Sequence, residues 1–274
     1  MIPLHQRLWS AEAPDFISEN HQICQVLEIL RQATDGRGVY VMDRGADRFK
    51  IFKHLLDNKL RFIIRLVADR RYLECRGERR RPGGIARGCQ MFYRETIVKE
   101  EQGREKKYHL EYGFRKVKLP GFAEELYLVV IRGFGQEPIL LLTSLPLRRS
   151  RKNLWFIVRG YLSRWLIEDT LQFIKQSYQL EDIRVLNYER MKNLVALVLV
   201  AVYFLAVWLG ESLKLKILTT RVLKIAKRFF GIPSFHYYAL ADGIARLLAM
   251  LGRWMKKPML SILANLPLQL CLKF

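Results

Sequence analysis

Cysteine is scarce in this sequence, and its few cysteines are widely scattered: Cys24, Cys75, Cys89 and Cys271. No two of them form a CxxC pair and no histidine lies at zinc-ligand spacing, which argues against a structural zinc site. We expect ordinary reduced thiols and a cytoplasmic, reducing compartment. The opening residues also lack a basic segment followed by an apolar one, so no secretory signal is evident.

Acidic residues are few relative to basic ones. The 274 residues include 26 Asp and Glu but 47 Lys and Arg, which gives a formal net charge of +21 and a pI near 10.1. A polyanion is the natural partner of such a surface, so nucleic acid and anionic membrane are the two candidates. Half of the residues are hydrophobic, which excludes a disordered basic tail.

Long apolar runs are missing as well. The apolar stretch at residues 194–209, which no charge interrupts, falls short of the roughly 20 residues that span a bilayer. We interpret it as a buried helix in the core rather than a membrane span. Two further helices are predicted at 213–230, where basic residues alternate with apolar ones, and at 235–255. The first of these could lie on DNA, on a membrane surface or in solvent.

The first third of the chain alternates between two kinds of periodicity. Helical spacing of apolar residues predicts helices at 22–32 and from Asp47 to about residue 56, and apolar runs predict strands at 39–42 and 61–67. The order helix, strand, helix, strand is typical of an α/β fold whose strands run nearly parallel.

The sequence pattern changes from Ala68 to Leu147, where short β-prone runs are separated by basic turns. This indicates an inserted β-rich region. The arginine run Arg79–Arg81 within it is either a solvated turn or a phosphate contact. The candidate strands are 90–98, 107–112, 115–119, 126–132 and 138–143.

Asp43 follows the predicted strand 39–42 and precedes a glycine turn. Open α/β sheets place catalytic groups at the carboxyl ends of their strands, so Asp43 is a candidate site residue. The alternative is that its side chain caps the turn or the next helix. Asp47 has the weaker claim, because its position suits a charge at a helix N-terminus.

A second candidate site lies on a helix predicted at 161–175. At about 100° per residue, Tyr161, Arg164, Glu168 and Lys175 fall within an arc of about 60°. A carboxylate flanked by a phenol, a guanidinium and an ammonium suits a metal ion beside a phosphodiester. A solvated face with ion pairs is the alternative. The opposite arc is apolar and holds Leu162, Leu166, Leu171, Phe173 and Ile174.

The spacing Tyr161-x2-Arg164-x3-Glu168-x6-Lys175 resembles the signature of bacterial insertion-sequence DDE transposases. The segment Val-Tyr-Val-Met-Asp43-Arg-Gly-Ala-Asp, followed by a helix and a strand, is similar to the surroundings of the second catalytic Asp in the same family. The resemblance extends over most of residues 2–209. Two matches in the correct order make coincidence improbable.

The resemblance implies a ribonuclease-H-like fold in which three carboxylates hold two divalent metals, Mg2+ or Mn2+. It implies that Asp43 and Glu168 are two of the ligands and that Tyr161, Arg164 and Lys175 contact DNA. The implied partners are transposon ends, bound by a homodimer, and the implied location is the cytoplasm at the nucleoid.

One departure from the family concerns the first catalytic Asp, which lies on a strand well upstream of the second. Asp15 is in a polar loop and Asp35 is in a turn, so neither replaces it. We therefore expect an N-terminally incomplete transposase that cleaves little or no DNA alone. The alternatives are a non-catalytic basic DNA-binding protein and a membrane-associated protein.

The predicted organisation has four parts. Residues 1–67 form a partial ribonuclease-H-like core, and 68–147 form the β-rich insertion. Residues 148–210 complete the core with the signature helix and the apolar helix, and 211–274 form a basic helical region.

Overall fold

The computed structural model describes residues 5, 7–13, 15–101, 104–168, 171–172, 187–204, 243 and 246. The chain divides into two compact units, and each is described by itself. The first is Trp9–Leu166, and the second combines Met1–Leu8 with Ile167–Phe274. The helix predicted at 213–230 lies outside the described residues, as does Lys175. Of the helix predicted at 235–255, only residues 243 and 246 are described, and both are helical.

The first unit contains a mixed sheet with helices on both faces, which confirms a mixed α/β class. A short 3-10 helix also follows β1 at Arg44–Ala46. The strands are β1 (Tyr40–Met42), β2 (Phe62–Arg65), β3 (Leu73–Cys75), β4 (Glu78–Arg80), β5 (Tyr93–Glu101), β6 (Arg104–Val117), β7 (Leu126–Arg132) and β8 (Ile139–Thr143). The helices are α1 (Glu19–Ala33), α2 (Phe49–Asp57), α3 (Pro82–Arg87) and α4 (Arg151–Leu162).

The main sheet has the order β1-β2-β8-β7-β6-β5, and β3 pairs with β4 in a separate hairpin. Only β1 and β2 are parallel, with Met42 opposite Ile64, and the other pairs are antiparallel. The prediction of nearly parallel strands therefore holds for β1 and β2 alone. Strands β5 to β8 of the predicted β-rich region continue this sheet, while the division into four parts stays a prediction.

Alternation along β2 shows how the sheet separates two layers of core. Phe62 and Ile64 pack with α1, α2 and α3 on one face. Ile63 points to the other face and packs with α4. Because successive strand residues face opposite sides, Arg65 is directed to the same side as Ile63. This register brings Arg65 to the face covered by α4.

A single strand, β6, replaces the two strands predicted at 107–112 and 115–119. Gly113 lies at the point where the prediction placed a break. A Cβ atom there would lie 2.0 Å from the carbonyl oxygen of Gln90, so the glycine permits a close backbone approach rather than a turn. The strand remains continuous because Gly113 still pairs with Val130 of β7.

The basic segment around residue 76, for which a turn is predicted, forms the turn of the β3–β4 hairpin and the strand β4 that follows it. Arg76 and Gly77 both have positive φ angles, 54° and 82°. Two such residues form the tight turn that suits the twist of paired strands. Arg79 and Arg80 of this hairpin are exposed to solvent.

The helix predicted at 161–175 is interrupted. Tyr161 is in the last turn of α4, the helix ends at Leu162 with Ser163 as its C-cap, and residues 165–168 are helical again. Ser163 donates its hydroxyl to the carbonyl of Gly160 at 2.7 Å, a local bond that competes with helix continuation. Leu166 and Leu171 are exposed, so the predicted apolar face is not a core face there.

The described part of the second unit includes α5 (Tyr188–Tyr203). Asn187 caps it by accepting from the Glu189 amide. Leu197 and Val200 are 66% and 64% exposed, so the prediction that this helix is buried does not hold at those positions. Among the described residues, no helix combines the length and apolarity needed to cross a membrane.

Candidate functional site

Asp43 lies at the carboxyl end of β1, directly before the 3-10 helix. The residue occupies the N-cap position of that helix, but its side chain forms no capping hydrogen bond there. Its carboxylate is 41% exposed and is directed toward α4 and β2. Helix capping therefore does not determine the position of this carboxylate.

Tyr161 reaches Asp43 from α4. Its ring is fully buried, and it continues the helical series Leu154, Ile157 and Val158 that packs on the sheet. Its hydroxyl donates to Oδ1 of Asp43 at 3.2 Å. The prediction that Tyr161 belongs to a polar face is wrong, because its ring packs in the core. A tyrosine can bury its ring and still present its hydroxyl to a polar site.

Gly160 lies where α4 packs closely on β2. A Cβ atom at this position would lie 3.3 Å from Cδ1 of Ile63. A larger residue here would require the end of the Ile63 side chain to shift by a few tenths of an ångström. The glycine thus helps to bring the end of α4 next to the carboxyl ends of β1 and β2.

Two guanidinium groups complete the surroundings of Asp43. Arg164 follows the end of α4, and its Nη2 lies 3.9 Å from Oδ2 of Asp43. Arg65 ends β2, and its Nη1 lies 4.0 Å from Oδ1 of Asp43 and donates to the Tyr161 hydroxyl at 3.4 Å. One carboxylate between two guanidinium groups leaves a net positive site, which suits a phosphate.

The electrostatics keep Asp43 ionised. Burial works to raise the pKa of Asp43, but the Arg44 amide, the Arg164 charge, the Tyr161 hydroxyl and the Arg65 charge together lower it. Burial raises the pKa of Tyr161, so its hydroxyl remains a donor. Besides the Arg44 amide, the carboxylate is held by the Tyr161 hydrogen bond and two long ion pairs, which leaves it able to accept further contacts.

Asp47 has a different role from Asp43. It is fully buried, forms an ion pair with Arg71 and accepts from the Val67 amide at 2.8 Å. Its side chain ties the segment after β1 to the segment after β2. The prediction of a helix N-terminal charge is corrected, because α2 begins after Arg48 and has no side-chain cap.

The structure brings Asp43, Tyr161 and Arg164 together. Glu168 is an exposed helical residue and belongs to the second unit. Lys175 lies outside the described residues. Within the described part of the chain, no three His, Cys, Asp or Glu side chains lie close enough together to hold a metal ion.

Arg65 is the site residue that sequence reasoning missed. The available signal was its position at the carboxyl end of a strand parallel to β1. Since the carboxyl ends of adjacent parallel strands meet at one edge of a sheet, Asp43 and Arg65 follow corresponding residues, Met42 and Ile64.

Comparison with protein families identifies one relationship. The sequence model described as transposase DDE domain matches residues 13–205, more than half of the chain. The match includes Asp43, Arg65, Tyr161, Arg164 and Glu168. No curated protein matches the sequence significantly.

Proposed function

The chain belongs to the transposase DDE domain family, and we propose that it acts on insertion-sequence ends at a site containing Asp43 and Glu168. The family membership supports a transposase function. We propose that the reaction is the cutting and joining of DNA ends, and that the fold is ribonuclease-H-like. A parallel strand pair beside antiparallel strands, with helices on both faces, supports that fold.

The convergence of two separate sequence signals on Asp43 is the observation that carries this proposal. Tyr161 and Arg164 are 118 or more residues away in sequence, and both contact the Asp43 carboxylate. A solvated face of ion pairs does not require a fully buried tyrosine directed at a strand end. The arrangement suits a phosphodiester instead, because one carboxylate lies between two guanidinium groups at the carboxyl end of β1.

We propose that Arg164, Arg65 and Lys175 contact phosphates close to the cleaved bond and that Tyr161 helps to hold the DNA end. Guanidinium and ammonium groups neutralise phosphate oxygens, and a phenol donates to them. Arg164 and Arg65 lie within about 4 Å of the acid, so a phosphate near Asp43 would be within their reach.

We propose Mg2+ or Mn2+ as the cofactor, held by Asp43 and Glu168. Carboxylate oxygens are the ligands that these hard cations prefer, and Asp43 is both ionised and partly exposed. The donors fit in type, although the described residues supply one carboxylate at this position. When bound, such a metal polarises a phosphodiester and stabilises the leaving oxygen.

A third carboxylate is implied by the family resemblance, and neither Asp15 nor Asp35 suits this role. Asp15 is an exposed loop residue, and Asp35 is in a turn with a positive φ angle. We therefore propose that the chain alone binds DNA but cleaves it little. Its action would take place in the cytoplasm at the nucleoid, as a homodimer on paired ends.

The test is strand nicking of labelled element ends in Mg2+ or Mn2+. It uses this chain and an extended protein, in which the N-terminal strands and first Asp of an insertion-sequence DDE transposase are fused before this chain. The extended protein should nick, and Asp43→Asn or Glu168→Gln should abolish nicking. Asp57→Asn is the matched control, because Asp57 is an exposed acid paired with Lys53 on α2. Nicking that survives Asp43→Asn would reject the catalytic proposal.

A second candidate function is DNA binding without catalysis, and the net charge of +21 favours it. In that case the ion pairs of Asp43 are structural. The extended protein and its Asp43→Asn variant would then bind DNA equally and neither would nick it.

A further inference from the structure

A groove on the first unit combines arginines with exposed aromatic rings, away from the α4 side of the sheet. Its walls are the start of α2 and the β3–β4 hairpin, and its floor is the segment between β2 and β3. The groove has a volume of about 680 Å³, within the roughly 300–1,000 Å³ typical of ligand sites. We name it the arginine–aromatic groove. Its defining residues are Arg48, Phe49, Arg70, Arg71, Tyr72 and Arg79.

The groove has a net positive charge, although Arg48 and Arg79 are paired with Glu19 and Glu74. Asp47 is the acid among the lining residues, and its carboxylate is already engaged by Arg71 and the Val67 amide. Arg70 is exposed and donates to the Asp47 backbone carbonyl, so that bond does not neutralise its charge. The groove therefore offers guanidinium charge to an anionic ligand.

Two aromatic rings lie in the groove and remain about half exposed. Tyr72 is 50% exposed, and Phe49 is 55% exposed. Each ring is also supported: the Arg81 guanidinium lies 5.2 Å from the Tyr72 ring centre, and Phe122 lies 5.4 Å from Phe49. Rings that are supported and still open to solvent can stack on a ligand without first being ordered.

From this arrangement we propose that the groove binds a segment of single-stranded DNA. Arginines that follow a phosphate backbone together with exposed rings on which bases stack are the two requirements for binding an unpaired strand. A duplex hides the faces of its bases, so it would use the charge of the groove but not its rings. The hairpin arginine Arg79 is here assigned a phosphate contact rather than a purely solvated position.

The proposal uses the transposase proposal only to choose DNA as the polyanion. Asp43, Arg65, Tyr161 and Arg164 do not line the groove. The test measures binding and requires no cleavage. A failure of the catalytic proposal would therefore leave the result interpretable.

The experiment measures fluorescence anisotropy of the full chain with a labelled oligothymidylate and with a duplex of equal length. Tyr72→Leu should weaken oligothymidylate binding by about tenfold, because base–aromatic stacking is lost. The same variant should change duplex binding by less than about twofold. Tyr72→Phe retains the ring and should bind the oligothymidylate like the parent.

The contribution of charge is measured with Arg79→Ala. This variant should lower the slope of log affinity against log salt by about 0.7 for the single strand, as expected when one phosphate contact is lost. Arg37→Ala is the matched control, since Arg37 is also exposed and paired with one exposed acid, Asp35. The control should leave the slope unchanged.

Crosslinking provides a second measurement that does not depend on variants. An oligonucleotide containing bromodeoxyuridine should crosslink to peptides containing Phe49 or Tyr72. Crosslinks found only elsewhere in the chain would overturn the proposal. Equal losses for single strand and duplex in Tyr72→Leu, or no loss for either, would overturn it as well, because the groove would then act as a charged patch.

Discussion

Two aspartates four positions apart have opposite surroundings. Asp47 is fully buried, with a close ion pair to Arg71 and a backbone amide bond. Asp43 is 41% exposed, and its two arginines lie 3.9 and 4.0 Å away. Asp47 connects two loops. Asp43 lies at the carboxyl end of β1, where a ligand can reach it.

The difference shows that solvent access and spare hydrogen-bonding capacity separate a structural acid from a candidate catalytic one. A buried carboxylate whose oxygens are engaged has little left to offer a ligand. A carboxylate with long ion pairs can exchange them for a cation or accommodate a phosphate nearby. Four substitutions or conditions test this contrast, and the largest effect is expected at the buried acid.

Asp47→Asn should lower the free energy of unfolding by about 3 kcal/mol, because it leaves the Arg71 charge buried without its partner. Urea unfolding followed by circular dichroism measures this change. Adding Arg71→Met should recover part of the loss, since the unpaired charge is then removed. A loss below about 1 kcal/mol would mean that Asp47 is not the structural acid of the pair.

Tyr161→Phe should cost about 1 kcal/mol of unfolding free energy, because the buried ring stays in place while the bonds to Asp43 and Arg65 are lost. The same urea titration measures it. Tyr108→Phe is a comparison on the same face of the sheet, where the Asp43 site is not involved. A cost for Tyr161→Phe as large as that of Asp47→Asn would remove the distinction between the two regions.

Asp43→Asn should change the free energy of unfolding by less than about 1 kcal/mol, because the carboxylate is partly exposed and its ion pairs are long. Its effect should appear in nicking by the extended protein rather than in stability. Destabilisation equal to that of Asp47→Asn would show that Asp43 is structural.

The smallest effect concerns pH. Since the folded-state pKa of Asp43 is lowered, its contribution to stability is present above its unfolded pKa, near 4. The contribution is lost as the pH falls through the folded pKa. The stability difference between the parent and Asp43→Asn should therefore shrink below about pH 4. Urea midpoints over an acidic pH series measure it, and a difference that grows on acidification would contradict the lowered pKa.

The sequence was sufficient to predict much of the first unit. Apolar periodicity located β1, β2, α1 and α2 within a few residues, and strand β7 lies at the predicted residues 126–132. Local spacing determines such elements, because one face of each must be apolar. Asp43 could be selected for the same reason, since it follows a strand and precedes a turn.

Features that depend on contacts between distant segments were harder to predict from the sequence. The role of Asp47 depends on Arg71 and Val67, and the continuity of β6 depends on how closely Gln90 approaches Gly113. The burial of Tyr161 was visible in the series Leu154, Ile157, Val158 and Tyr161, which has helical spacing. The prediction began that helix at Tyr161 and therefore assigned the tyrosine to the wrong face.

The position of β1 in the sheet has a consequence for assembly. Among the described strands, β1 has a neighbour on one side only, and its three residues are partly exposed. An edge strand offers its free N–H and C=O groups as a template for another strand. A strand added there would extend the sheet next to Asp43 and bring its own side chains close to this carboxylate.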